Sequence, residues 1–256
     1  MKQKRKAVCR VLSQTEMAPG IFDMQIETDL GAQALAGQFV MVYPKAESTL
    51  LPRPISICEA EDTKLRIVYR VAGKGTEEFS GYGPGDQIAL MGPLGNGFPV
   101  LEADGKRAVL LGGGIGIPPL LQLAKSLPGR QTILAGYRDH RLFLKEDLEK
   151  AGDFYAATED GSAGIRGNVL DALKEYRPDA EILYACGPMP MLRAVKAYAQ
   201  EREIPAYLSL EERMACGVGA CLGCVCTTVK RDGHSHVNNA RICTEGPVFE
   251  AGEVDI

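Results

Sequence analysis

The strongest constraint on the fold is a regular alternation of strand-like and helix-like segments between residues 106 and 209. Short apolar runs suited to buried strands each lead into a turn and then into a helix-like segment. The predicted strands are 107–111, 131–136, 154–158, 181–185 and 206–209, and the predicted helices are 118–127, 142–150, 169–176 and 189–202. Four such crossovers predict a five-stranded parallel sheet with helices on both faces.

The first hundred residues follow a different pattern. Runs rich in β-branched and aromatic residues are separated by turn signals, at 6–12, 21–28, 38–43, 55–59, 65–71 and 87–91. One short helix-like stretch lies among them, near 76–80. Six strands at this spacing predict a small antiparallel β-barrel.

After Glu212 the periodicity ends, and glycine and cysteine dominate. Five of the eight cysteines, namely Cys216, Cys221, Cys224, Cys226 and Cys243, fall in this last part of the chain. Disulfides do not persist in a reducing cytosol, so a dense group of thiols indicates a metal or iron–sulfur site. We therefore expect three units, 1–100, 101–209 and 210–256, of which the last is small enough to need a metal for stability.

The cysteine spacing is specific. Cys216, Cys221 and Cys224 form a Cys-x4-Cys-x2-Cys run, and Cys243 follows at a distance. This is the spacing of plant-type ferredoxins, which hold a two-iron two-sulfur cluster. We expect Gly217, Gly219 and Gly223 to take positive φ angles that turn backbone N–H groups toward the sulfurs.

Two other kinds of site fit the spacing of this segment less well. Structural zinc sites favour paired Cys-x2-Cys knuckles, of which only one is present, and the order of His234 and His236 does not fit a Rieske centre. We treat both histidines as loop residues. Spacing alone does not exclude Cys226 as a ligand, but we assign Cys216, Cys221, Cys224 and Cys243 and expect Cys226 to be a buried neighbour.

Two turns of the predicted sheet suit a nucleotide. The first turn follows the 107–111 strand and opens a helix, so its backbone amides can approach a pyrophosphate. A second turn lies at the end of the fourth strand, on the same sheet edge. The candidate residues are Gly112, Gly113, Gly114, Gly116, Cys186, Gly187 and Pro188. A glycine-rich turn can also serve only tight packing of strand against helix.

Two motifs of the barrel could bind an anion. The run Arg53, Pro54, Ile55 and Ser56 places a cation and a hydroxyl on what we expect to be one side of a strand, and Gly75 and Thr76 open the short helix. Taken alone, either motif is equally consistent with a solvated surface.

Charge and hydropathy exclude several partners. The chain has 29 Lys and Arg against 33 Asp and Glu, a net charge of -4, so nucleic acid is not expected. The longest uncharged run, 108–124, is too short and too rich in glycine and proline to span a membrane. The basic start, 1–6, leads into a segment containing Arg10 and lacks signal-peptide features, which predicts a cytoplasmic protein.

These motifs together carry a family resemblance. Over its first 210 residues the chain resembles the ferredoxin-reductase superfamily, through Arg53 to Ser56, Gly75-Thr76, Gly92 to Gly95, Gly112 to Pro119 and Cys186 to Pro188. The whole chain, including 210–217 and 242–249, is similar to the electron transfer subunits of class 1B dihydroorotate dehydrogenases.

The resemblance implies cofactors and residue roles. It implies FAD on the barrel, with Arg53 near the pyrophosphate, Ser56 near the flavin ring, and Gly75 and Thr76 at the phosphates. It places Val68, Tyr69 and Arg70 along the cofactor. It also implies NAD on the sheet and makes Cys243 the fourth cluster ligand, which supports setting Cys226 aside.

The implied function is electron transfer between NAD and a partner subunit that carries FMN and oxidises dihydroorotate, in pyrimidine biosynthesis. The implied assembly is a heterotetramer with two copies of each subunit. The alternative is an NAD(P)H reductase subunit for ferredoxin, hydrogenase or sulfide chemistry. Arg138 and Arg141, in the stretch where the adenosine ribose would lie, leave NADP open as the nicotinamide, since arginine can hold a 2′-phosphate. A non-enzymatic, metal-stabilised binding protein is a third possibility.

Overall fold

The structure is a computed structural model that describes residues 4–231, 233 and 236–256. The amino-terminal part of the chain, as far as residue 94, is a closed antiparallel barrel. Its six strands are β1 (Arg5–Ala18), β2 (Ile21–Glu27), β3 (Phe39–Tyr43), β4 (Arg53–Ala60), β5 (Lys64–Arg70) and β6 (Gln87–Leu94). They pair in the order β1-β2-β5-β4-β3-β6. A short helix, α1 (Lys74–Ser80), connects β5 to β6. The predicted six-stranded barrel is confirmed.

The barrel encloses a core of its own. Fully buried apolar side chains alternate with exposed ones along the strands, as expected when one face of a sheet packs inward. The largest of them include Met24, Ile57, Tyr69, Phe79 and Leu90. Phe79 belongs to α1, so this helix closes one end of the barrel core.

The second half is a sheet flanked by helices. Its strands are β7 (Ala108–Gly113), β8 (Gln131–Tyr137), β9 (Gly152–Thr158), β10 (Ile165–Arg166), β11 (Ile182–Cys186) and β12 (Ala206–Ser209). Its helices are α2 (Pro118–Ser126), α3 (Lys145–Ala151), α4 (Val169–Tyr176) and α5 (Met189–Glu201). All five predicted strands are present and parallel, in the order β9-β8-β7-β11-β12.

The sheet is wider than expected. β10 adds a two-residue parallel strand at one edge, and a strand from the end of the chain, β15 (Val248–Glu250), pairs antiparallel with β12 at the other edge. The sheet therefore has seven strands, five of them predicted. Within the described residues, no helix is both long and apolar enough to cross a membrane.

The segment between β12 and β15 holds the cysteines. It contains the two-stranded ribbon of β13 (Val225–Thr227) and β14 (Asn239–Arg241). Apolar residues of this segment, including Met214, Ile242 and Phe249, pack in one cluster with Leu183 and Leu208 of the sheet. The cysteine unit thus shares its core with the parallel sheet.

Candidate functional site

A cleft opens along the barrel, between β4, β5 and the segment after β12, and we call it the barrel cleft. It is lined by Phe39, Arg53, Pro54, Ile55, Ser56, Val68, Tyr69, Arg70, Ala72, Thr76, Ile115, Ser209, Leu210, Glu211, Glu212, Met214 and Pro247. Every residue that the sequence associates with FAD is among them except Gly75. The cation and the hydroxyl of the first barrel motif, Arg53 and Ser56, thus line the same cleft.

Gly75 lies directly beside Arg53. A Cβ added to Gly75 would lie 2.8 Å from Nε of Arg53, so only glycine lets the guanidinium rest on the start of α1. Nη1 of Arg53 donates to the Leu51 carbonyl oxygen at 2.6 Å. The Thr76 hydroxyl accepts from the backbone N of Ala72 at 2.8 Å and fixes the turn before α1. These contacts hold a cation at the cleft wall, next to the turn.

Two carboxylates line the same cleft. Glu211 and Glu212 follow β12 and line the cleft together with Arg70. Desolvation raises the pKa of the Glu211 carboxyl, and the Arg70 cation acts in the opposite direction. The barrel cleft therefore carries arginine at its barrel side and glutamate at its sheet side.

A second cleft, which we call the sheet cleft, lies at the carboxyl ends of the parallel strands. Its lining is Arg70, Gly113, Gly114, Gly136, Tyr137, Arg138, Glu159, Asn168, Val169, Leu170, Asp171, Lys174, Pro188, Pro190, Met191, Ala194, Ala197, Tyr198 and Glu201. It spans β7 and β11, between which the strand order reverses, and open α/β sheets bind ligands at such a point. Arg70 lines both clefts, so the two are contiguous.

The predicted sheet residues divide into two groups. Gly113, Gly114 and Pro188 line the sheet cleft. Gly112 packs against Leu120, and Gly116 approaches Cys186 so closely that a Cβ would lie 2.4 Å from its carbonyl oxygen.

Cys186 and Gly187 lie behind the wall of this cleft. Both residues are buried, and burial raises the pKa of the Cys186 thiol. A Cβ on Gly187 would lie 2.6 Å from Sδ of Met191. These two residues, with Gly112 and Gly116, let the two turns pack against each other, while Gly113, Gly114 and Pro188 line the cleft.

The far end of the sheet cleft carries both signs of charge. Nε of Arg141 donates to Oδ1 of Asp139 at 2.8 Å, and this hydrogen bond lowers the pKa of the Asp139 carboxyl. Arg138 lines a surface hollow with Asp139, Glu159 and Asp160. Of the two arginines that left NADP open, Arg141 is thus paired with a carboxylate, and Arg138 lies among three carboxylates.

The cysteine loop, residues 216–224, brings four thiols together as two pairs. The side chain of Cys221 affects the pKa of the Cys216 thiol, and that of Cys224 affects the pKa of the Cys243 thiol, so the thiols of each pair are neighbours. The charge of Cys216 also raises the pKa of the Cys243 thiol, so the two pairs of thiols are neighbours. Two thiolates for each of two irons is the ligand set of a two-iron two-sulfur cluster. Among the described residues, no three His, Cys, Asp or Glu side chains are grouped to hold a single metal ion.

Backbone amides point at these sulfurs. Sγ of Cys216 accepts from the backbone N of Val218 at 3.4 Å, and Sγ of Cys221 accepts from that of Gly223 at 3.4 Å. Desolvation opposes ionisation of Cys216, but the amide donors outweigh it and lower the pKa to about 6. Desolvation and the neighbouring Cys224 raise the pKa of Cys243 to about 12. The loop thus favours a thiolate at its exposed end.

The backbone of the loop differs from the prediction at one residue. Gly217 and Gly219 take positive φ angles of 69° and 83°, as expected. The third positive angle, 56°, belongs to Leu222, and the prediction for Gly223 is wrong. Gly223 serves as the amide donor to Cys221 without that conformation.

Cys226 is part of β13 and pairs with Ala240 of β14. Its side chain packs against the core shared with the sheet, and burial raises the pKa of its thiol. His236 lies outside helices and strands, and His234 lies outside the described residues. The structure thus places Cys226 in a packed ribbon next to the loop.

Several lining residues were not predicted. Ser209 ends β12, Glu211 and Glu212 follow it, and Glu159 follows β9. Because these strands are parallel, their carboxyl ends meet at the sheet edge that carries the glycine turns. That rule would have identified these residues from the predicted strand ends alone.

Comparison with known proteins places the chain in a family. Residues 211–255 match the model of the iron-sulfur cluster binding domain of dihydroorotate dehydrogenase B. A dihydroorotate dehydrogenase B (NAD(+)) electron transfer subunit of Listeria monocytogenes serotype 4a (strain HCC23) is 41% identical over 254 residues, which cover 96% of this chain and 98% of the relative. The subunit of the same name from Caldanaerobacter subterraneus subsp. tengcongensis is also 41% identical, with 99% of both chains covered.

A solved structure supports the fold. The chain resembles one from a study of flavin-based electron bifurcation in the NADH-dependent reduced ferredoxin-NADP oxidoreductase, with a TM-score of 0.85 and 28% identity. The match covers 100% of this chain and 91% of that one. Barrel, sheet and cysteine unit are therefore a known combination. At 41% identity over nearly the full length, the chain belongs to the family of dihydroorotate dehydrogenase B (NAD(+)) electron transfer subunits.

Proposed function

We propose that this chain carries electrons between NAD and a partner subunit that holds FMN and oxidises dihydroorotate, in the synthesis of pyrimidines. The observation that carries the proposal is the position of the barrel cleft between the other two sites. Arg70 joins it to the sheet cleft, and Met214, which lines it, lies two residues before Cys216. A cofactor in the barrel cleft would therefore lie between a nicotinamide and a cluster.

FAD fits the barrel cleft. Arg53, held beside Gly75 and Thr76, would pair with the pyrophosphate, since a guanidinium and a phosphate form charge-assisted hydrogen bonds. Pro54, Ile55 and Ser56 on β4 would contact the flavin, with Val68, Tyr69 and Arg70 on β5 along the remainder. When bound, FAD exchanges electron pairs with a nicotinamide and single electrons with an iron–sulfur cluster.

NAD fits the sheet cleft. The turns formed by residues 112–116 and 186–188 would hold the pyrophosphate, with Gly113, Gly114 and Pro188 lining the cleft and Gly112, Gly116, Cys186 and Gly187 packing the turns together. Glu159 would accept hydrogen bonds from the ribose hydroxyls, as acidic residues do in NAD-binding sheets.

The cluster ligands are Cys216, Cys221, Cys224 and Cys243. Two observations support this set: the pairing of the four thiols and the amides of Val218 and Gly223 that donate to sulfur. These donors would stabilise the negative charge of bound thiolates. The chain's own contribution is to bring the four ligands close together and to supply amide donors to two of them.

The partner is expected to cover the cysteine loop. Val218, Leu222 and Val225 are exposed around it, with 62% of Leu222 accessible. Apolar residues at the centre of an interface suit a stable complex, and electron transfer needs the cluster close to the partner's flavin. We propose a heterotetramer with two copies of each subunit, in the cytoplasm, where thiols stay reduced.

Reconstitution tests the function. The holoprotein alone should oxidise NADH with artificial acceptors and show no activity toward dihydroorotate. Mixed with an FMN-containing dihydroorotate dehydrogenase subunit, it should gain NAD-dependent oxidation of dihydroorotate, and light scattering should give the mass of two copies of each subunit. Cys221→Ser should abolish the gained activity, while the matched Cys226→Ala should retain it.

Two results would contradict the proposal. One is oxidation of dihydroorotate by the isolated chain. The other is productive electron transfer to ferredoxin without any complex with the FMN subunit. The second result would favour a ferredoxin-linked NAD(P)H reductase, whose architecture the 28% identical neighbour shares.

A further inference from the structure

The hydroxyl of Thr244 is buried without a hydrogen-bond partner. In the described part of the chain, its Oγ1 is the one buried side-chain nitrogen or oxygen in this state. Burying an unsatisfied hydroxyl costs free energy, so such groups are rare in folded proteins and point to a missing partner. The position of Thr244 identifies that partner.

Thr244 follows Cys243 and packs against the cysteine loop. A Cβ added to Gly219 would lie 2.9 Å from Cγ2 of Thr244 and 3.3 Å from its Oγ1. The hydroxyl therefore lies where the loop carrying three thiols meets the segment carrying the fourth.

The local backbone fixes this position. The backbone N of Thr244 donates to the Arg241 carbonyl oxygen at 3.0 Å, which forms a turn around Cys243. Nη1 of Arg241 donates to the Gly219 carbonyl oxygen at 3.4 Å, so the same arginine ties this turn to the loop. Gly219 adopts a φ of 83°, a conformation that side chains other than glycine rarely take. The turn at Arg241 and the close approach of Gly219 thus hold Thr244 against the loop.

We propose that the Thr244 hydroxyl donates a hydrogen bond to a sulfur of the bound cluster, either the Cys243 thiolate or a bridging sulfide, and raises its reduction potential. The inference rests on the proposed ligand set. Reduction adds a negative charge to the cluster, and a donor at sulfur stabilises the reduced form more than the oxidised form. Thr244 would thus make the cluster a better electron acceptor.

The test is a redox titration of the holoprotein, followed by electron paramagnetic resonance of the reduced cluster. Thr244→Val removes the hydroxyl and keeps the shape. It should lower the midpoint potential by about 59 mV, which for one electron is a tenfold change in equilibrium constant. Thr244→Ser should stay near wild type. Thr228→Val is the matched control, because the Thr228 hydroxyl donates to the Lys230 carbonyl oxygen at 2.9 Å in the same unit.

The potential is compared only between variants with full iron and sulfide content. An unchanged potential in Thr244→Val would overturn the inference, and so would equal shifts in Thr244→Val and Thr244→Ser, which would reflect packing. If Thr244→Val does not assemble the cluster, Thr244→Ala, which adds no bulk, takes its place. An error in the ligand set itself would appear separately, as normal iron content in Cys243→Ser or Cys221→Ser.

Discussion

Arg53 illustrates how one side chain is placed for a ligand. Its guanidinium lies at the barrel cleft, beside a glycine that leaves room for it and next to the turn before α1. Its Nη1 is held by the Leu51 carbonyl oxygen. A phosphate binding there would meet a cation that is already oriented, so little ordering cost remains.

Replacing this cation should weaken FAD binding selectively. Arg53→Ala should cost about 1.5–3 kcal/mol of binding free energy, the range for a hydrogen bond to a charged group. The flavin content after gel filtration should fall while the iron content stays normal. The exposed Arg193 of α5 offers a control, Arg193→Ala, that should keep its flavin. Equal FAD retention in both variants would show that Arg53 is an ordinary surface residue.

The cluster ligands permit an equally direct test. Serine at Cys216, Cys221, Cys224 or Cys243 should remove most of the iron and sulfide, because each substitution takes from one iron one of its two thiolates. Cys226→Ala should leave both at wild-type levels, since its side chain packs in the shared core. Iron and sulfide analysis of the five variants decides the assignment. Cluster loss in Cys226→Ala together with retention in Cys243→Ser would reverse it.

Site residues that belong to a sequence motif were easier to predict than site residues that only tertiary packing brings to the site. Arg53, Ser56 and Thr76 were found because their neighbours in sequence form recognisable turns and strands. Glu211 lines the barrel cleft because β12 ends beside that cleft. The Thr244 hydroxyl is buried because the segment after Cys243 packs against the cysteine loop. Nothing in the immediate sequence of a lone threonine reveals that its hydroxyl is buried without a partner.

The loop after β9 brings carboxylates to the edge of the sheet cleft. It places Glu159 and Asp160 beside Arg138, and the backbone N of Glu159 donates to the Tyr137 carbonyl oxygen at 3.1 Å. A ribose hydroxyl can donate to a carboxylate, whereas a 2′-phosphate would be repelled by it. We therefore expect the loop to favour NAD over NADP.

This preference should depend on Glu159. Glu159→Gln should lower the ratio of kcat/KM for NADH to that for NADPH by about tenfold, the equivalent of about 1.4 kcal/mol. Glu175→Gln, an exposed change on α4, should leave the ratio as it is. Steady-state rates with an artificial acceptor measure both. A ratio unchanged in Glu159→Gln would mean that the preference arises elsewhere.

The elements themselves were largely predictable. Every predicted strand of the barrel and the sheet is present, because each was marked by β-branched residues between turn signals. β10 and β15 were not predicted, since strands of two and three residues are too short to show a periodicity. β15 also pairs with a strand about forty residues earlier, and no local pattern reports such a partner.

For the molecule as a whole, the three proposed units do not have three separate cores. The cysteine segment packs against β11 and β12 and returns a strand to the sheet. The amino-acid composition changes at residue 210, but composition does not show which distant residues pack together. Loss of the cluster should consequently lower the stability of the β12–β15 edge of the sheet as well as that of the cysteine loop.

The barrel and the sheet are joined by a partly buried ion-pair network. Arg66 of β5, 15% exposed, contacts Asp23 at 2.8 Å and Glu59 at 3.4 Å within the barrel. It also contacts Asp147 of α3 at 2.9 Å, and Lys125 of α2 pairs with the same Glu59. Two helices of the sheet are thereby tied to the barrel. Because both clefts meet at Arg70, this junction sets how a nicotinamide would face a flavin.

Breaking the network should therefore affect both stability and electron transfer. Arg66→Met leaves Asp23 and Asp147 without their cation, and Glu59 with Lys125 alone, and should lower the free energy of unfolding by about 3–5 kcal/mol. Asp147→Asn keeps the barrel pairs and loses only the tie to α3, so it should cost about 1 kcal/mol and slow NADH oxidation at normal flavin content. Asp153→Asn breaks an exposed pair with Arg130 inside the sheet domain and should change neither. Urea unfolding measures the stability of each variant, and NADH oxidation with an artificial acceptor measures its electron transfer. If Asp147→Asn oxidised NADH as fast as Asp153→Asn, the ion pairs would stabilise the fold without setting the geometry between the clefts.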